Sequence, residues 1–219
     1  MPKKKRKVGS GSQRYYFLIR YTNANADYGL LAGRCISQMH LFMVNHHQAM
    51  NRVGVSFPDW NESSVGQTIA FVSEDKEMMI GLSFQPYFSL MVNEGLFEIS
   101  SVYEVPDTSA EVRFVRNQTI GKNFLGSKKR RIKRSMARAE LFGVEQSLPV
   151  TNEDRVIDSF HRIPISSGSS RQDFILFIQK ELADERAKSG FNSYGFATNQ
   201  EKRATVPDLR FNLFEEDSF

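Results

Sequence analysis

The apolar residues of the first hundred positions change period in a fixed order, and that order restricts the available folds more than any other feature. Residues 15–21 (YYFLIRY) are dense in aromatic and β-branched side chains, as a buried strand is. From residue 28 to residue 50 the period becomes helical, with Ala32, Ile36, Met39 and Met43 on one face and Asp27 placed to cap the start. Strand-like runs return at 52–57, stopped by Pro58, and at 67–73. A helical stretch from Glu74 to about Gly81 and a strand over 96–104 complete the set. The order β-α-β-β-α-β predicts a ferredoxin-like half, with two helices on one face of an antiparallel sheet.

The remainder reads as a strand near 110–117, a basic helix over about 127–142, a polar connection from about 145 to 160, strand-like HRIPIS, DFILFIQ and SYGFAT, and a tail from Thr205. The expected class is α+β: an N-terminal ferredoxin-like (βαββαβ) domain over 13–106, then a C-terminal domain over 107–219 with an arginine-rich helix and short strands. No stretch of eighteen apolar residues occurs, so no membrane span is expected. Cys35 is the only cysteine and can form neither an internal disulfide nor a zinc cluster, which suits a reducing cytosol.

Charge is concentrated. Residues 1–12 (MPKKKRKVGSGS) resemble the nuclear import signal of a viral large T antigen followed by a flexible spacer, and read as an engineered tag for the eukaryotic nucleus. Without its five cations, 24 bases face 25 acids. Ten of those 24 lie between Arg113 and Arg138, a segment holding no acid, so the rest of the chain carries 14 bases against 25 acids. A compact positive segment on a negative protein points to a polyanion held at one place. Within the helix, Arg130, Arg134 and Arg138 form an i, i+4, i+8 stripe, Ser127 is placed to cap the start, and Ile132, Met136 and Ala139 offer a narrow apolar side for docking. A solvated charged face would mix signs for i,i+4 pairing, whereas this one holds only cations.

Several chemistries lack a signature. The four histidines, His40, His46, His47 and His161, fall in no HExxH or Cys/His ligand spacing, so no metal site is expected. No Walker or dinucleotide glycine motif follows a strand, and no cofactor is expected. His40 sits beside the apolar stripe of the first helix, where a half-buried core role competes with a functional one, and His46 and His47 read as surface residues. The serines of 166–170 read as a turn, and Tyr194 by itself as a core or edge tyrosine.

Taken together, SQMHLFM, RVGVSFPDW, the Arg-x-Gln pair in FVRNQT, the helix KRRIKRSMAR, the serine loop before DFILFI and the near-terminal FNSYGFA resemble one family. It is the CRISPR repeat-processing endoribonuclease of type I-F systems, the Cas-six family in its Csy-four-like branch, over roughly residues 15–208. SVGQTIAFVS and LFEIS are similar to relatives from CRISPR-associated transposons. The resemblance implies a bacterial cytoplasmic protein with His40 as catalytic histidine, Ser167 as active-site serine (Ser166 or Ser169 in another threading of the loop) and Tyr194 as the residue that positions the histidine. Arg134 and Arg138 would grip the RNA stem, helped by Arg130 and Arg131, and Arg116 and Gln118 would read base edges at its foot. Arg113, Lys129 and Lys133 join them as expected RNA contacts. The helix stands several residues further from the Arg-x-Gln pair than in the family.

The chemistry is self-consistent. RNA carries its own nucleophile, the 2′-hydroxyl beside the scissile phosphate, so a site without metal needs a base and a group that holds the geometry. Histidine, with an ordinary pKa near 6.5, suits the first task, and the Ser167 and Tyr194 hydroxyls suit the second. Arg pairs with a guanine edge and Gln with an adenine edge. The implied partners are the CRISPR RNA repeat hairpin, the backbone and large subunits of a type I-F surveillance complex and a transposition-targeting protein, with target DNA met only indirectly and no membrane. Two other readings stand beside the endoribonuclease: a hairpin-binding assembly subunit whose catalysis is dispensable, and an unrelated basic-helix nucleic-acid binder.

Overall fold

The computed structural model describes residues 12–46, 50–123, 125–142, 159–166 and 173–209. Of the tag only Ser12 falls within them, and the polar connection lies outside apart from its last two residues. In chain order the elements are β1 (Tyr15–Tyr21), α1 (Tyr28–Asn45), β2 (Gly54–Ser56), β3 (Thr68–Ser73), α2 (Lys76–Ser83), α3 (Pro86–Asn93), β4 (Phe97–Ile99), β5 (Tyr103–Glu104), β6 (Glu111–Arg116), α4 (Thr119–Asn123), α5 (Leu125–Phe142), β7 (His161–Ser166), β8 (Asp173–Ala183) and β9 (Val206–Pro207).

The first sheet has the order β2-β3-β1-β4, with every neighbouring pair antiparallel, which is the ferredoxin-like arrangement of an α+β chain. A second antiparallel sheet, β7-β8-β6-β9, follows. One hydrophobic cluster runs through both, from Phe17 and Ile19 on β1 to Phe114 on β6 and Leu176 on β8. Helix α1 touches both sheets. Its Cys35 thiol lies by the Tyr21 hydroxyl of β1, and burial pushes the thiol pKa up to about 12, leaving it protonated and unreactive. Its Gly29 and Gly33 run along β7, where a Cβ at Gly33 would stand 1.9 Å from the Pro164 carbonyl oxygen. Among the described residues no helix is long and apolar enough to cross a membrane.

Several expected boundaries move, each for a local reason. The first helix is capped by the Asp27 side chain, which accepts from Leu30 N at 2.9 Å, but it ends at Asn45 rather than at residue 50. There the His46 backbone N–H and its ring Nδ1 both turn to the Phe42 carbonyl, and His46 leaves helical geometry. The helix expected over 74–81 is α2, and a second helix follows it, because Pro86 forces Gln85 to extended angles and then serves as the first residue of α3. The strand over 96–104 splits into β4 and β5. The register of β1 slips by one residue between them, as at a bulge, where Ser100 Oγ accepts from Leu18 N at 2.9 Å.

Near the C-terminus, residues 205–209 of the expected tail are not free, and the rest of it lies outside the described residues: Val206 and Pro207 pair with β6 as an edge strand, and Thr205, Val206 and Leu209 are buried. SYGFAT is a turn whose one ladder contact is a parallel bridge between Ala197 and Val115. The basic helix begins at Leu125, which puts Ser127 inside it rather than at its cap. Its expected docking on the body does not occur through Met136, which is 47% exposed, and Leu141 and Phe142 are more exposed still. The helix follows directly on α4, whose Ile120 is buried and whose Gly121 lies against the Phe177 ring.

Candidate active site and nucleic-acid interface

The residues that converge come from α1, the end of β6 and the 192–196 turn. That turn is built by Asn192. Its buried side-chain oxygen accepts from Tyr194 N at 2.8 Å and Phe196 N at 3.2 Å, and its backbone N–H donates to the Phe196 carbonyl. Gly195 supplies the left-handed residue at φ +79°, and a Cβ there would stand 2.6 Å from Val55 Cγ2 and 3.1 Å from Met39 Cε. The turn is pinned to β2, where Val55 N donates to the Gly195 carbonyl, and to β6, where Arg116 N donates to the Ala197 carbonyl.

His40 lies against this turn, one residue past buried Met39 on α1. Its Nδ1 is 2.7 Å from the Ser193 carbonyl oxygen. A carbonyl only accepts, so Nδ1 carries the proton, and in the neutral ring Nε2 keeps a free lone pair. The Tyr194 ring stacks on the imidazole at 4.6 Å and 24°, and Phe174 of β8 meets Tyr194 edge-on at 5.6 Å. The tyrosine hydroxyl was expected to fix the imidazole. In the structure the Ser193 carbonyl takes the ring nitrogen and the tyrosine contributes its ring face.

Arg116 closes the cluster. Its guanidinium carbon stands 5.5 Å from the Tyr194 ring centroid, and the Gln118 amide oxygen, oriented by the hydrogen-bond network, accepts from its Nε at 3.1 Å and Nη2 at 2.7 Å. Burial lowers the guanidinium pKa from its ordinary value, against the Tyr194 hydroxyl that favours the charge. The backbone leaving β6 is fixed by Asn117, whose N–H donates to the Phe177 carbonyl and whose side chain donates to Gln179 Oε1 at 2.8 Å.

The other expected residues sort differently. Arg130, Lys133, Arg134 and Arg138 are exposed on α5, and Lys133, Arg134 and Arg138 have no carboxylate partner among the described residues. The side chains of Lys129 and Arg131 lie outside the described set, as do Ser167 and Ser169 entirely. Arg113 is engaged within the second sheet: Nε donates to the Arg203 carbonyl at 2.9 Å and Nη1 lies 3.5 Å from Glu181, which also holds Arg203. Here it serves as a structural cation of the second sheet. The His46 ring lies tilted against Phe42, and His161 Nε2 is 2.8 Å from the Asn61 carbonyl with its ring against Trp60, so neither joins the cluster.

Asn192 is the residue that the sequence reading missed, although Asn three positions before Gly in FNSYG is turn chemistry open to view. Asn192→Ala would leave two buried or half-buried N–H groups without their acceptor, so a loss of about 2 kcal/mol is expected. A urea midpoint within error of the parent would show that the turn does not need it.

The family described as "CRISPR-associated protein (Cas_Csy4)" matches residues 16–209 of the chain. Similar solved structures include "Crystal structure of CRISPR RNA processing endoribonuclease Cas6b", at 13% identity and a TM-score of 0.30 over 89% of this chain and 99% of that one. Another is "CRISPR associated protein Cas6", at 10% identity and a TM-score of 0.30 over 90% of this chain and 99% of that one. Among curated proteins none matches.

Proposed function

Because the chain belongs to the Cas_Csy4 family of CRISPR-associated proteins, we propose that it is a metal-independent endoribonuclease that binds the CRISPR repeat stem-loop and cuts the precursor transcript at its foot. The observation that carries this is the His40 geometry: Nδ1 is committed to the Ser193 carbonyl, which leaves Nε2 as a base in a cluster that the Tyr194 ring links to the half-buried Arg116 and its partner Gln118. In the reaction the ribose 2′-oxygen forms a bond to phosphorus while its proton passes to His40 Nε2, and the bond from phosphorus to the 5′-oxygen breaks. The departing 5′-oxygen takes a proton from the imidazolium or from water. Tyr194 holds the imidazole, and Ser167 orients the 2′-hydroxyl. Helix α1 and strand β7 run in the same direction, since Gly29 meets Arg162 and Gly33 meets Pro164. The chain therefore leaves β7 at Ser166 heading toward the His40 end of α1, which favours a loop serine in that role.

Arg116 and Gln118 read a guanine and an adenine at the stem base, and Arg130, Arg134 and Arg138 on the exposed stripe of α5 hold backbone phosphates. The product hairpin stays bound, making the enzyme single-turnover and the 3′-end subunit of a type I-F guide complex with backbone and large subunits. In a transposon setting that complex also meets a transposition-targeting protein, and target DNA is contacted only through the guide.

The test is incubation with repeat RNA in EDTA, beside the same RNA bearing a 2′-deoxy nucleotide at the cut. The all-ribose RNA should yield a 2′,3′-cyclic or 3′-phosphate and a 5′-hydroxyl, and the deoxy RNA should bind uncut. Cleavage of the deoxy RNA would eliminate attack by the 2′-oxygen, and binding of both RNAs without any cleavage would favour an assembly subunit.

The helix has its own test. Replacing Arg134 and Arg138 with Ala should weaken hairpin binding and reduce the slope of log affinity against log salt by roughly 1.5, since each lost phosphate contact contributes roughly 0.7 to 0.9. An unchanged slope would remove α5 as the grip.

A further inference from the structure

Arg116 and Gln118 have been given recognition, and His40 with Tyr194 the chemistry, yet the two pairs share one aromatic ring. The Tyr194 ring carries the imidazole at 4.6 Å and the Arg116 guanidinium at 5.5 Å. Three further observations make Arg116 unusual. It is half-buried, whereas Arg130, Lys133, Arg134 and Arg138 on α5 are exposed. Arg113, three residues earlier on β6, faces Glu181, but no carboxylate faces Arg116 among the described residues, and its Nε and Nη2 both go to one neutral amide oxygen. Its backbone is clamped through the Ala197 carbonyl to the turn that carries Tyr194. A guanidinium partly removed from water and satisfied by neutral groups alone is held at a desolvation cost that a strong acceptor would offset.

We propose that Arg116 is a positioning residue for the cut as well as a reader of the hairpin. By engaging the acceptor edge of a guanine while lying on Tyr194, it fixes that ring and with it the imidazole, so that base identity at the hairpin foot is registered in the rate of the bond-breaking step and not in affinity alone. The inference rests on the endoribonuclease reading. Its physical basis is that a ring in contact with two groups cannot shift against one without shifting against the other. A correct guanine holds the fork of Arg116 in the plane of its O6 and N7, and a wrong base leaves the cation free to pull away from the ring. Catalysis is sensitive to that displacement, because misplacing a base by about 1 Å can cost on the order of a hundredfold in rate.

The experiment is a double-mutant cycle on the native repeat hairpin under single-turnover conditions, with protein raised until the rate saturates, so that binding and the chemical step separate. Arg116→Gln should lower the saturated rate at least tenfold in addition to weakening binding. In a Tyr194→Leu background, the same Arg116 change should still weaken binding but alter the saturated rate less than twofold, because the ring that carries the coupling is gone. Arg116→Lys, which keeps a cation near the ring without the fork, should recover part of the lost rate while binding stays weak. A saturated rate unaffected by Arg116→Gln, an undiminished effect in the Tyr194→Leu background, or a Lys variant as slow as the Gln variant would each overturn the coupling. His40→Ala measured alongside keeps the two proposals distinct. If it abolishes cleavage while Arg116→Gln leaves the saturated rate intact, only the coupling fails; if His40→Ala cleaves at the parental rate, the underlying reading fails.

Discussion

His40→Ala is expected to lower the saturated cleavage rate by roughly 10² to 10⁴, the span of a positioned general base, while hairpin affinity stays within about twofold. The two halves of that expectation come from different parts of the molecule. Rate, on the proposed reading, depends on Nε2, the nitrogen left with a lone pair once Nδ1 is tied to the Ser193 carbonyl. Affinity, on the proposed reading, depends on the α5 cations and on Arg116 and Gln118, which belong to the exit from β6. The substitution also removes the stacking partner of Tyr194 and the donor to Ser193, and together these should cost about 1 to 2 kcal/mol of stability. Binding and unfolding measured on the same preparation therefore separate a lost base from a lost fold. A variant that still cuts within a few-fold of the parent rate would take His40 out of the reaction.

Where a repeating apolar period decides, the sequence was a sufficient guide, and where a single side-chain contact decides, near or distant, it was not. The ferredoxin-like order was legible because β1, β3 and α1 bury continuous apolar faces whose period is set residue by residue. The end of α1 was not, since it depends on the His46 ring competing for the Phe42 carbonyl. Nor was β9, which exists because Val206 finds Val112 across 94 residues of chain. In the site, His40, Tyr194, Arg116 and Gln118 were all singled out from their motifs, but no motif says that Arg116 lies on Tyr194 or that the Ser193 carbonyl sets the histidine tautomer. Arg113 went the other way. It shares the charge of the basic segment, and only the facing strand, which brings Glu181 opposite, makes it structural. Charge counting cannot separate a cation paired across a sheet from one offered to a ligand.

Gly33→Ala should be the most damaging small substitution in the fold, with a loss of about 3 kcal/mol, which for a chain of this size corresponds to a fall in melting temperature of roughly 6 to 12 °C. Alanine is ordinarily the better helix former by roughly 1 kcal/mol, so propensity alone predicts the opposite sign. Packing decides it. A Cβ at Gly33 would stand 1.9 Å from the Pro164 carbonyl oxygen and 3.1 Å from its carbon, and both are backbone atoms of β7, which cannot swing aside as a side-chain tip does. Pro164 pairs with Ile175 in the β7–β8 ladder, so moving it disturbs the second sheet as well. The alternative is for α1 to lift away, carrying His40, seven residues on, off the turn that holds its Nδ1. Gly81→Ala on α2 is the matched control. There the added Cβ would meet only the Phe42 ring at 3.6 Å, an ordinary contact, so the propensity gain should stand and stability should hold or rise. If both variants melt with the parent protein, α1 and β7 are not in the contact described, and the route by which the fold delivers His40 to the turn must be different.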